Sequence, residues 1–459
     1  MRRFAPLLGF LLIATGAVRA DGGTQLRRCI QALPSSGGLC DFRNRGAITA
    51  ASTIVIDKPV TLRLEGTQLT LGGAPGILIE ANGVQVRGSS GNTWLVQAAG
   101  LGNTSRNRNV IYGSALRDLE VSGLAFWGVP CGKPQDNNSG IKLQNARTGK
   151  INHVRITHNT FKGFCTHAVL IQNASDVVVD HNLVDRVSDG IRFSGVARGE
   201  ILNNTIRHTQ LPSNGAFTVA IGLDTTAPQD DGISYPVSSD ITISGNTVRS
   251  YVNGEGIMVH SGVNVMISGN VFKNVLLGIG INPFNSTDQL SHITVKGNSY
   301  TGTMTPGASP TTANYGIAVA GGQATLPPSY VLVENNIIRR ANQIVQSQAQ
   351  GGIAAGYTDH LTIEDNVIRD SVSNGISLIN PNKDIEIRRN TIGDISGADA
   401  SGIYTYEGSQ AGEIRSNFVA WAKYGYRFDI YSPDLMFGRN SASEVVSIIV
   451  GIENVRTVQ

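Results

Sequence analysis

His167, Asp189, Arg192, Asp224, Glu255 and His260, with Lys142 upstream, are the side chains whose types and spacing could do chemistry. Each stands at a fixed offset from a short recurring segment: GIKLQ from Gly140, AVLIQ from Ala168, GIRFS from Gly190, AIGLD from Ala220, GIMVH from Gly256 and GIGIN from Gly278. Read as strands, these segments turn the Ile and the residue two later inward. The residues before the Gly, after the Ile and at the strand end turn outward. The seven ionisable groups then gather on one face across about five coils, roughly 20 Å at one strand spacing per coil. That length suits a few sugar units.

Two of the carboxylates Asp189, Asp224 and Glu255 can act as general acid and base in glycoside hydrolysis, with the acid's pKa raised by its neighbour. His260, oriented by Asp224 beside it, or His167, oriented by Asp189, can instead abstract the proton α to a uronate carboxyl group. Arg192 and Lys142 would bind and neutralise that carboxylate. An outward strand face carries polar groups in any case, and mixed charges there also keep it soluble. The charges, however, are concentrated in the middle rows and absent from those beginning at Leu277 and Gly351, which favours a functional cluster. Later rows turn aromatic, and the rings of Tyr404 and Tyr406 are candidates to stack on pyranose faces. The pair Asp230-Asp231, next to Gly232, is a calcium candidate and equally an Asp-containing turn. Nothing else in the sequence requires a cofactor.

The element that must position these groups is a coil, seen whole in Asp240 to His260: an alternating strand, a turn ending in Gly245-Asn246, a short apolar stretch, and the Gly-Ile strand. Its turn asparagine returns at Asn159, Asn182, Asn204, Asn246, Asn270, Asn298, Asn336, Asn366, Asn390 and Asn417, in steps of 23, 22, 42, 24, 28, 38, 30, 24 and 27. A period in the twenties enclosing period-2 alternation predicts a stacked β solenoid, because no single repeat can close a core alone. Stacking gives each inward Ile or Val a like neighbour about 4.8 Å away and lets the asparagine amides form a ladder in the turns. These asparagines hold turns and do no chemistry.

On these repeats the chain resembles the right-handed parallel β-helix proteins of the pectin-lyase-like superfamily, over roughly residues 45–440. The resemblance implies an all-β, right-handed parallel β-helix. That architecture hosts lyases, hydrolases, epimerases and non-catalytic surface proteins. Compared with polygalacturonases, Ser188-Asp189-Gly190 is similar to their Asn-Thr-Asp-Gly segment and Asp230-Asp231-Gly232 resembles their aspartate pair. Their Gly-His-Gly and Arg-Ile-Lys segments are missing, the nearest matches being Val259-His260-Ser261 and Gly140-Ile141-Lys142. The Asp-Pro-His-Asp signature of alginate C5-epimerases is absent too, as is a clear set of calcium-binding aspartates like that of pectate lyases.

Met1 to Ala20 has Arg2 and Arg3, an apolar run from Phe4 to Val18 and small residues before Asp21, the layout of a secretory signal. The run is short for a bilayer span and nothing later replaces it. Secreted or periplasmic placement is therefore expected. Within residues 21–44, Leu26, Cys29, Ile30 and Leu33 fall at helical spacing before Pro34, predicting an amphipathic capping helix over the raw end of the first coil. The helical body spans 45–440, and 441–459 is read as a C-terminal cap. Four cysteines in an exported chain suggest disulfides, and proximity favours Cys29 with Cys40 and Cys131 with Cys165. A net charge of +3 is too small and too evenly spread to argue for nucleic acid.

The leading expectation is an exported enzyme acting on a polysaccharide, as a lyase or C5-epimerase at uronate units. Glycoside hydrolysis of polygalacturonase type and a non-catalytic carbohydrate-binding scaffold are the alternatives.

Overall fold

The alternation within each repeat becomes three short parallel strands per coil. In the computed structural model, residues 22–89, 91–98, 108–129, 138–144, 151–209, 218–227, 232–302, 315–322, 325–341, 351–406, 411–429, 432–451 and 455–457 are described, and strand pairing among them is parallel throughout. The architecture is a right-handed parallel β-helix. Each coil has a long face (Ile151–Thr157 in one coil), a short face after the turn asparagine (Thr160–Lys162), and the Gly-Ile face (the start of His167–Asp180).

The core is a set of columns. Ile141, Val169, Ile191, Ile221, Ile257, Ile279, Ile317, Ile353, Ile376, Ile403 and Tyr426 stand one above another in register, each at most 2% exposed. β-Branched side chains suit this stacking, and each buried Ile contributes roughly 1.5–3 kcal/mol. The 42-residue step between Asn204 and Asn246 does not disturb the columns. Thr205 still pairs with Thr247, and Ile191 with Ile221, so the strands on either side of it keep their register.

The asparagine ladder forms as expected. Asn159, Asn182, Asn204, Asn246, Asn270, Asn298, Asn336, Asn366 and Asn390 are buried, and each donates from Nδ2 to Oδ1 of the next at 3.0–3.1 Å. The ladder runs one coil further than its sequence spacing suggested, from Asn417 to Asn440. The six remaining histidines, His153, His158, His181, His208, His292 and His360, all have positive φ, which fits a structural place for them.

The helix Gly22–Ala32 covers the first coil, burying Leu26 and Ile30. Its Gly22 lies so close to Ile48 that a Cβ there would come within 2.4 Å of it, so glycine is what lets the helix seat. Cys29 and Cys40 form a disulfide that ties this helix to the first strand. Cys165 is also disulfide-bonded, while Cys131 lies outside the described residues. At the other end, Ser441–Val450 stacks in parallel on Phe418–Phe428 as one more rung, leaving Val446 and Ile448 exposed. No helix among the described residues is long and apolar enough to cross a membrane.

Candidate active site

The Gly-Ile face carries three outward columns, because every strand there keeps the same phase. The first runs His167, Asp189, Val219, Glu255, Leu277; pairing links His167 with Asp189 and Val219 with Glu255, and the Val219 amide donates to Asp189 Oδ1 at 2.9 Å. The second runs Lys142, Leu170, Arg192, Gly222, Met258, Gly280. The third begins with Gln144, Gln172 and Ser194, and continues with Asp224, His260 and Asn282, whose amides bond to carbonyls of the coil before.

Arg192 is the hub. Its Nη1 lies 3.5 Å from Asp189 Oδ2 in the first column, and its Nη2 is hydrogen-bonded to Asp224 Oδ1 in the third. It can span both because the coil above offers Gly222. A Cβ at that position would come within 2.8 Å of Arg192 Cδ and Nε, so the side chain lies flat where any other residue would block it. The other oxygen of Asp224 accepts from Ser194 Oγ at 3.0 Å, so this carboxylate, 4% exposed, is fully engaged. Asp189 is more open. Its Oδ2 also faces His167 Nε2 at 3.6 Å, and burial raises its pKa against the opposing pull of Arg192 and of the Val219 amide.

Glu255 stands in the Asp189 column two rungs on. It is largely buried, its Oε2 has no hydrogen-bond partner, and burial pushes its pKa up to about 7 although Arg192 pulls the other way. Both histidines are held neutral. His167 is driven well below the ordinary range by burial and by the charges of Arg192 and Lys142, and His260 is lowered mainly by burial. His260 Nδ1 lies 2.7 Å from the Asn282 carbonyl, which can only accept, so that nitrogen carries the proton and Nε2 keeps its lone pair. The orienting group is thus the Asn282 carbonyl; Asp224, expected in that role, spends both oxygens on Arg192 and Ser194.

Four groups from three coils, His167, Asp189, Glu255 and His260, therefore feel the charge of one arginine. Lys142 lies near enough to act on His167. The tyrosines stand apart, five coils beyond Glu255 along the Gly-Ile columns. Tyr404 is buried, with its hydroxyl donating to Asp429 at 2.6 Å and the Arg427 guanidinium 5.1 Å from its ring, so it offers no open face. Tyr406 is 43% exposed and does. Asp230 and Asp231 lie outside the described residues.

Two contributors carried no sequence signal. Phe284, 69% exposed, tilts against the His260 ring at 5.4 Å and extends the site with an aromatic face. Asp288 is fully buried and clamps the neighbouring loops, accepting from Thr225 Oγ1, the Thr226 amide and the Phe284 and Asn285 amides at 2.7–2.9 Å. Both belong to an excursion, NPFNSTDQ, that breaks the repeat and so falls outside any periodic register. Among the described residues, the one cluster with the geometry to hold a metal ion is Asp359, His360 and Asp384, away from this face, where Lys383 already sits 3.8 and 3.9 Å from the two carboxylates.

Residues 139–327 and 308–428 match the family described as right handed beta helix region, more than half of the chain. No curated protein matches it. Among solved structures, the A-module of the Azotobacter vinelandii mannuronan C-5 epimerase AlgE4 is 15% identical, with 94% of each chain covered and a TM-score of 0.45. The DFA-IIIase from Arthrobacter chlorophenolicus A6 is 11% identical over 78% of this chain and 85% of its own, with a TM-score of 0.43. The tailspike protein of the E. coli bacteriophage HK620, solved with a hexasaccharide, is 11% identical over 90% and 68%, with a TM-score of 0.48. Likeness of this degree says nothing about chemistry.

Proposed function

The chain belongs to the right handed beta helix region family, and on that premise we propose that it is an exported carbohydrate-active enzyme whose Gly-Ile face holds a polysaccharide and transfers protons to it through Glu255. The observation that carries this reading is the state of that residue: a largely buried carboxyl whose Oε2 has no hydrogen-bond partner, its pKa pushed up to about 7, in one column with a carboxylate held beside a cation. Burial raises both carboxyl groups, but Asp189 has the Arg192 guanidinium and the Val219 amide beside it, and carboxyl groups in unlike environments let one site hold an acid and a base at the same pH.

Hydrolysis of a glycosidic bond is the reaction this geometry supports best. Glu255 gives its proton to the glycosidic oxygen as the bond to the anomeric carbon breaks, and Asp189 takes a proton from the water that attacks that carbon. Asp224 serves by holding Arg192, because both its oxygens are taken. Asp189 and Glu255 stand two strand spacings apart, about 10 Å between backbones, which suits the wider carboxyl separation of an inverting mechanism. Arg192, spent on two aspartates, is a poor partner for a uronate carboxylate, and this lowers elimination and epimerisation from the leading expectation to a second reading. The free Nε2 of His260 favours them as the second reading, with His260 as base at C5 and Lys142 at the carboxylate. The leader-like segment 1–20 and the Cys29–Cys40 disulfide support export.

The test is a product assay on acidic and neutral polysaccharides, with Glu255→Gln and Asp189→Asn alongside. New reducing ends of inverted configuration, lost in both variants and fading as pH rises through about 7, are expected. Unsaturated products would transfer the site to the second reading. Binding without turnover on any polymer would refute an enzyme and leave a scaffold.

A further inference from the structure

A second line of side chains runs along the short face, away from the Gly-Ile columns. Register places Lys162, Arg207, Arg249, Lys273, Arg339 and Arg369 in one outward column, with Asp185 between the first two and Thr301 between Lys273 and Arg339. Arg207 directly neighbours Arg249, Arg249 neighbours Lys273, and Arg339 neighbours Arg369. Like charges on adjacent strands repel and cost stability.

The long face handles its charges differently. There Arg155 meets Asp180, Lys296 meets Glu334, Arg388 meets Glu364 and Arg415 meets Glu386, each within 3.3 Å. On the short face Asp185 is held by Arg207 and His208, and Asp370 follows Arg369 at the last bend. Arg249, Lys273, Arg339 and Arg369 are exposed and have no acidic partner among the described residues. The near-neutral total thus hides a row of uncompensated cations, about 19 Å long from Arg249 to Arg369 at one strand spacing per coil.

The row leads at its N-terminal end to an aromatic pair. Trp127 pairs with Lys162, whose Nζ lies 4.5 Å from the indole ring, and Trp94 stands 5.9 Å from Trp127 between ring centroids. Both indoles are exposed by more than a third. Flat exposed rings stack on the apolar faces of sugars, and a line of cations set one or two strand spacings apart can meet the charges of a polymer with one negative charge per unit.

We propose that the short face is a second binding track for a linear acidic polysaccharide, gripped by the tryptophan pair at one end and by the cation row along its length. It does not depend on catalysis at the Gly-Ile face. The probes are oligogalacturonate, neutral dextran and a duplex DNA oligonucleotide, with affinities measured by calorimetry at two salt concentrations on the full chain. The variants are Arg249→Glu with Lys273→Glu and Arg339→Glu, and separately Trp94→Ala with Trp127→Ala. The charge variant should bind oligogalacturonate at least about tenfold more weakly and with a shallower salt dependence, the tryptophan variant should also weaken it, and dextran should bind poorly to all. Turnover of a short oligosaccharide at the other face should be unchanged in both, which separates failure of this proposal from failure of the hydrolase reading. Unchanged oligogalacturonate affinity in the charge variant would overturn the track. Equal binding of DNA together with indifference to the tryptophan change would overturn its assignment to sugar.

Discussion

Replacing Glu255 with Gln should remove activity and, above neutrality, stabilise the protein. The carboxyl has an ordinary pKa of 4.5 that burial moves to about 7 in the folded chain. At about pH 4 it is protonated both folded and unfolded and contributes no difference. As pH rises between these values the unfolded chain loses the proton first, so folded wild type is progressively penalised. Above about 7 the group is ionised in both states and the full cost stands, at most about 3 kcal/mol for a displacement of this size. Glutamine has nearly the same shape and no charge to desolvate. The variant should therefore gain little or nothing at about pH 4 and up to about 3 kcal/mol at about pH 8, the trade expected where an active site is built at the expense of stability. Urea denaturation of both proteins at about pH 4, 6 and 8, with activity measured at each pH, decides it. A stability difference independent of pH, or one largest in acid, would refute the burial argument, and a stabilised variant with full activity would refute the role in proton transfer.

Asn270→Ala removes four hydrogen bonds: from Nδ2 to the Ile243 carbonyl and to Asn298 Oδ1, and into Oδ1 from the amide and Nδ2 of Asn246, all 2.9–3.0 Å. The Asn246 amide is left buried without a partner, Asn246 Nδ2 keeps only its bonds to the Ile201 and Ser244 carbonyls, and a loss of roughly 2–4 kcal/mol is expected by denaturant titration. A loss under about 1 kcal/mol would mean that the ladder decorates the turn and does not hold it. Arg192→Met should cost a similar amount at neutral pH, because it leaves Asp224 ionised and buried. Adding Asp224→Asn should recover most of that loss; failure of the double variant to recover would show that packing over Gly222, and not charge, is what Arg192 supplies.

The backbone was legible because its signals are periodic. Gly-Ile fixed the phase of each strand, and the columns His167 with Asp189 and Val219 with Glu255 follow from that phase alone. The asparagine spacing likewise marked every turn from Asn159 to Asn417. What alternation cannot convey is how far a side chain reaches. Arg192 leaves its own column to join Asp189 and Asp224, which depends on the missing side chain of Gly222 one coil away. The proton on His260 is set by a main-chain carbonyl, and Tyr404, outward in phase, is covered by Arg427. Phe284 and Asp288 sit in an excursion with no repeat to read. Composition, for its part, counted the cations of the short face but could not see that their partners lie elsewhere.

The asparagine ladder makes coil length invisible to the fold. Asn204 meets Asn246 across 42 residues at the same 3.0 Å at which Asn246 meets Asn270 across 24. Each amide reads only the amide above it, so a stretch of any length can be spliced in between two of them and the next strand will still land on its column. The faces beside the ladder can thus acquire, lengthen or lose loops while the stacked strands stay where they are, and a new substrate can be met by rewriting an excursion without refolding the frame.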